Sequence, residues 1–122
     1  MAYELFTRKR RVYPDQALVA ITKAGSLNFN TRASEEFLKG VNHVTLFFDR
    51  QRRLIGLKSA KVKSGDSYPV KRFGARAVAQ VTAIGFVKYF GINYSETRRY
   101  AASWNEEEKL VEIDIKEEYS DR

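Results

Sequence analysis

The sequence predicts an α+β domain, mostly β, built from two tandem β-β-α-β-β units. Short apolar or alternating runs recur at strand length, and pairs of them are separated by Gly-bearing or charged turns. The same order of runs, turns and helix stops occurs twice, over about residues 18–61 and 69–117. The chain of 122 residues is therefore read as a single domain, 1–122, preceded within itself by a basic arm or strand at 1–17.

In the first unit, residues 18–22 (LVAIT) and 26–30 (SLNFN) read as short strands, with Lys23, Ala24 and Gly25 as a tight loop between them. Asn30 or Thr31 can cap the next segment, where Ala33 and Phe37 recur at helical spacing until Lys39-Gly40 stops it. Residues 44–48 (VTLFF) and 54–58 (LIGLK) then flank a polar, cationic turn from Asp49 to Arg53.

The connector 61–69 (KVKSGDSYP) is marked by its Gly and Pro, and the order then returns. Residues 70–79 again place a Gly between two strand-like runs, and 82–90 (TAIGFVKYF) form a helical segment stopped by Gly91. A strand-like stretch from Tyr94 to Trp104 and a second at 110–116 flank the turn Asn105 to Lys109. Val111, Ile113 and Ile115 alternate with Glu112, Asp114 and Lys116, as a half-buried strand requires.

Hydrophobic residues make up 43% of the chain and aromatic residues 13%, enough apolar surface for one modest core. There is no cysteine, which removes disulfides and thiolate metal sites, and no apolar run near the ~20 residues of a membrane-spanning helix. The cytoplasm is the default expectation, and no membrane partner is expected. The net charge of +7 points to polyanions. It is polarised: residues 105–122 hold 8 acidic and 3 basic residues, a net of −5, leaving 19 basic and 7 acidic residues, a net of +12, in 1–104.

The order of strand, Gly turn, short strand, helix and apolar hairpin resembles the AbrB and MraZ swapped-hairpin DNA-binding domains. Thr22, Gly25, Leu27 and Phe29 fill the first marked positions of that pattern. The family's Pro falls at Asn30 and, in the second copy, at Ala79; its helix Arg falls at Ser34, with Arg32 two residues earlier. The resemblance implies one pseudo-twofold, swapped-hairpin-like barrel whose two halves come from one chain. It also implies DNA contacts from the first hairpin of each unit and its junction with the helix: Lys23 and Arg32 in one copy, Lys71, Arg72 and Arg76 in the other.

Further cations come from the residues themselves. Arg8, Lys9, Arg10 and Arg11 lie between Leu5, Phe6, Val12 and Tyr13, and read as a phosphate-contacting arm or as an exposed, solvated strand. Arg50, Arg52 and Arg53 share one hairpin turn, whose counterpart in the second copy is acidic. Arg98 and Arg99 lie in an aromatic stretch where Tyr94, Arg98, Tyr100 and Trp104 have equal parity, an arrangement that can stack bases or simply build core.

Catalytic patterns are lacking. His43 is the only histidine, there is no nucleophile elbow or phosphate-cradling Gly loop, and Glu106 to Glu108 read as a solvated turn. The expectation is a non-enzymatic protein without cofactor or metal, binding DNA as a transcription regulator or antitoxin-like factor. Two alternatives stand beside it: a single-stranded nucleic-acid binder of Whirly type, and an assembly module in which the acidic C-terminal segment meets the basic body of a neighbouring copy, a homo-oligomer.

Overall fold

The computed structural model describes residues 16–60, 65–74 and 78–119. Among them the chain forms nine strands and two short helices. The first hairpin, β1 (Leu18–Ile21) and β2 (Ser26–Phe29), turns at Gly25, whose φ of 77° is the left-handed conformation that glycine adopts without penalty. Helix α1 (Thr31–Phe37) begins where Asn30 folds its side-chain oxygen onto the N–H of Ala33, at 2.8 Å. The same oxygen accepts the N–H of Leu18 at 3.1 Å, so the cap also fastens the start of β1. Gly40, with φ of 75°, turns the chain after the helix.

Strands β3 (His43–Asp49) and β4 (Leu54–Ala60) make the second hairpin, and β5 (Tyr68–Pro69) and β6 (Lys71–Phe73) follow with Val70 between them. Next come β7 (Val78–Thr82), α2 (Ile84–Tyr89), β8 (Arg98–Asn105) and β9 (Leu110–Asp114). Every pairing is antiparallel, and the strand order is β5-β3-β4-β9-β8-β1-β2-β7-β6. The two outermost strands, β5 and β6, are joined by a single residue, whose N–H donates to the Asn42 carbonyl at 2.9 Å. The sheet therefore curls nearly to closure, a barrel-like, mostly β architecture that leaves little open edge.

Inside it lie Val19, Ile21, Leu27, Phe29, Val44, Ile55, Leu57, Val81 and Ile113, with Ala33, Leu38 and Val87 brought in by the helices. Burial of these side chains supplies the main driving force, at about 25 cal/mol per Å² of apolar surface. Ser34 is the buried polar stitch: its hydroxyl donates to the Phe29 carbonyl at 3.2 Å and accepts the Ala79 N–H at 2.9 Å, tying α1 to β2 and β7.

Three expectations from the sequence shift. Ala79 lies fully buried inside β7, and the residue that enters α2 is Ala83, because β7 runs on through Thr82. Ser34 occupies a closed, fully bonded position, so α1 has no place for an Arg there. The strand expected from Tyr94 begins only at Arg98; before it, Asn93 bonds back to Ser95 and holds a bend. No helix among the described residues is long and apolar enough to cross a membrane.

Candidate nucleic-acid interface

The turn between β3 and β4 is organised by Asp49. One carboxylate oxygen accepts the backbone N–H groups of Gln51 and Arg52, both at 3.0 Å, and the other takes the Arg52 side chain at 2.8 Å. The backbone and side-chain donors of Arg52 hold the Asp49 carboxyl below its ordinary range. Arg53 then sits in the left-handed region, with φ of 54°, and closes the turn. Arg52 is thus neutralised locally, while Arg50 lies over the Phe90 ring at 4.9 Å and Arg53 over Phe48 at 5.1 Å. These cation–π contacts hold the two guanidinium groups against the rings.

Lys23 stands exposed in the β1–β2 turn. Arg98 pairs across strands with Ile21 just before that turn, and Arg99 with Ala20. Leu54 pairs with Asp114, and Ile115 donates to the Arg53 carbonyl at 3.1 Å. These registers put Lys23, Arg50, Arg52, Arg53, Arg98 and Arg99 at the same end of the five neighbouring strands β3, β4, β9, β8 and β1. Acids reach this end too. Glu96 lies 3.6 Å from Arg98, and the C-terminal segment crosses Arg99, with Tyr119 donating its N–H to the Arg99 carbonyl at 2.8 Å and its ring beneath the guanidinium at 5.6 Å.

The remaining positions that the resemblance implies behave differently. Arg32, in the first turn of α1, pairs with Glu36 at 3.1 Å, and Lys71 is exposed on β6. Arg72 reaches back to the end of α1, donating to the carbonyls of Leu38 and, at 2.8 Å, Val41. A cation on the last carbonyls of a helix answers both their unmet acceptors and the helix dipole. Arg72→Ala is accordingly expected to lower stability by about 1–2 kcal/mol in urea unfolding, with Arg72→Lys losing less. A variant as stable as the parent would show that the contact carries no weight. Arg8, Lys9, Arg10, Arg11 and Arg76 lie outside the described residues.

The aromatic strand face does not assemble as the parity suggested. Tyr100 is only 5% exposed and belongs to the core, as an inward position on β8 must, and Tyr94 lies before the strand. Trp104 alone is open, at 50% exposure, donating its Nε1–H to Glu106 at 2.5 Å. It borders the turn between β8 and β9, where Lys109 repeats the left-handed backbone of Arg53 with φ of 57°. This turn copies the geometry of the first with opposite charge: Lys109 and then Trp104, as hydrogen-bond donors, hold the Glu106 carboxyl below its ordinary range. It lies at the opposite end of the strands from the Arg50–Arg53 turn, since β4 and β9 are antiparallel. In comparisons with protein-family models, curated proteins and solved structures, nothing matches the chain.

Proposed function

We propose that the protein is a non-enzymatic DNA-binding protein, a transcription regulator or antitoxin-like factor, that docks basic turns on the phosphates of a duplex. One observation carries this reading: cations distant in sequence, Lys23, Arg50, Arg53, Arg98 and Arg99, are gathered at one end of the sheet. Rigid strands and ring-held guanidinium groups set their spacing, as suits contacts to phosphates, which position a protein on the duplex without reading sequence.

A swapped-hairpin architecture is supported by the pairings between the two stretches of sequence. β2 lies beside β7, β4 beside β9, and β1 beside β8, so each stretch completes its sheet with strands of the other. The order hairpin, helix, hairpin recurs on both sides of β5. Burial of Tyr100 removes the main support for stacking of single-stranded bases.

Titration of labelled duplex and single-stranded oligonucleotides of one sequence across a salt series tests the reading. Tighter duplex binding is expected, with a log–log salt slope of about −0.9 per phosphate contacted. The triple variant Lys23→Ala, Arg50→Ala, Arg53→Ala should flatten that slope by roughly 2–3 and weaken binding at low salt at least about tenfold. Arg52→Ala should do less, because Asp49 already answers its charge. Equal affinity for both nucleic acids, or an unaffected triple variant, would remove the proposal.

A further inference from the structure

Helix α2 lies across the basic end of the sheet. Its first residue, Ile84, stands against Gly25 in the β1–β2 turn, and the Ala83 N–H before it donates to the Gly25 carbonyl at 3.1 Å. Just past its last residue, Phe90 packs on Phe48 with ring centroids 5.0 Å apart and carries the Arg50 guanidinium of the β3–β4 turn at 4.9 Å. The six residues of α2 therefore bridge the two turns that hold Lys23 and Arg50 to Arg53. Phe86 and Val87 are buried in the core, so the other side of the helix faces solvent among the cations of those turns. Gly85, Lys88 and Tyr89 make up that side.

Tyr89 is 74% exposed, the most open large apolar side chain among the described residues. Its ring meets that of Phe90 in a T-shaped contact, with centroids 4.9 Å apart and planes at 88°, and at this exposure a ring face stays uncovered. Because Phe90 also holds Arg50, an open aromatic ring and a guanidinium share one support. A duplex presents phosphates along its whole length and base faces only where stacking is broken. Cations answer the first, and an uncovered ring answers the second. We propose that Tyr89 is the base-contacting residue of the basic end, stacking on a single unstacked base of a DNA duplex while Lys88 and the flanking turns hold the phosphates beside it. This rests on the reading of the basic end as a DNA surface and adds the kind of DNA selected: a duplex interrupted by an unpaired base. One ring serves one base, whereas following a single strand takes a row of them.

The test titrates the full chain with two labelled duplexes of one sequence, the first fully paired and the second carrying one unpaired adenine at its centre, from about 50 mM salt upward. The parent is expected to bind the interrupted duplex about tenfold more tightly, the scale of one base stacked on one ring. Tyr89→Ala and Tyr89→Leu should bind the two duplexes equally and keep the parent's salt slope, since neither changes a charge; Tyr89→Trp should keep the preference. The exposure of Tyr89 makes all three compatible with the fold, which circular dichroism checks. Lys88→Ala should show the opposite pattern, with the preference kept and the slope flattened by about 1 on both duplexes. Parent binding to neither duplex would remove the reading of the basic end and this inference with it. Duplex binding without a preference, or a preference that survives Tyr89→Ala, would remove the inference alone. It is also overturned if Tyr89→Ala releases the chain from vesicles of anionic lipid while leaving both duplex affinities at the parent's values, which would assign the ring to a membrane surface.

Discussion

Gly25→Ala is expected to cost about 3–5 kcal/mol, much of the stability of an ordinary small domain. Two separate effects add. The backbone at Gly25 has φ of 77°, where a Cβ costs about 1–2 kcal/mol. The new Cβ would also lie 2.3 Å from Ile84 Cδ1 and 2.8 Å from both Cα and Cβ of Ile84. The Cδ1 methyl can rotate away, but Cα cannot move without shifting the first turn of α2. That shift would also stretch the bond from the Ala83 N–H to the Gly25 carbonyl, now 3.1 Å. Gly74→Ala is the control, because Gly74 has nearly the same φ, 74°, and open space where its Cβ would go. It should cost only about 1–2 kcal/mol, from backbone conformation alone. Urea unfolding of the two variants should therefore separate packing from dihedral strain, and equal losses would show that the approach of Ile84 to Gly25 contributes nothing. A displaced α2 would also move the Lys23 turn, so weaker duplex binding should accompany the loss.

Features written in local chemistry were legible before the fold was known. Gly25, Gly40, Gly74 and Gly91 all take the positive φ that their places after strands and helices suggest, and Asn30 caps α1 as its position beside Thr31 implies. Strand β9 alternates its burial as Val111 and Ile113 predict. Features that depend on distant partners were not legible. Arg72 looks like a free cation in sequence, yet it spends its donors on carbonyls 31 and 34 residues away. Tyr100 and Trp104 share parity on one strand, but the first is covered by the core and the second lies near the strand's end, so periodicity alone could not sort them. The short β5 was hidden in a connector, because Tyr68 and Pro69 form a strand only through their pairing with Val44 and His43.

Asn30→Ala is expected to cost about 2–4 kcal/mol, more than a helix cap alone. Both lone-pair directions of its side-chain oxygen are in use, one by Ala33 in α1 and one by Leu18 at the start of β1. Loss of the cap accounts for about 1 kcal/mol. The larger share comes from the Leu18 N–H, left without its acceptor in a residue only 2% exposed, at about 1–3 kcal/mol. The side-chain amide also donates to the Gln16 carbonyl at 3.0 Å, so Asn30→Asp, which keeps the acceptor and loses that donor, should fall between parent and Ala. Asn30→Pro makes the sharpest comparison, since it can keep the backbone angle while removing the hydrogen bonds. The φ of Asn30, −68°, suits a proline ring. Its backbone N–H, however, donates to the Leu18 carbonyl at 3.0 Å, and proline would remove that bond along with both side-chain contacts. Chemical unfolding should therefore rank the variants Asp, Ala, Pro in order of increasing loss. A proline variant as stable as the parent would mean that β1 does not rely on the hydrogen bonds of Asn30; the predicted ranking would mean that those bonds, more than the backbone angle, hold this junction.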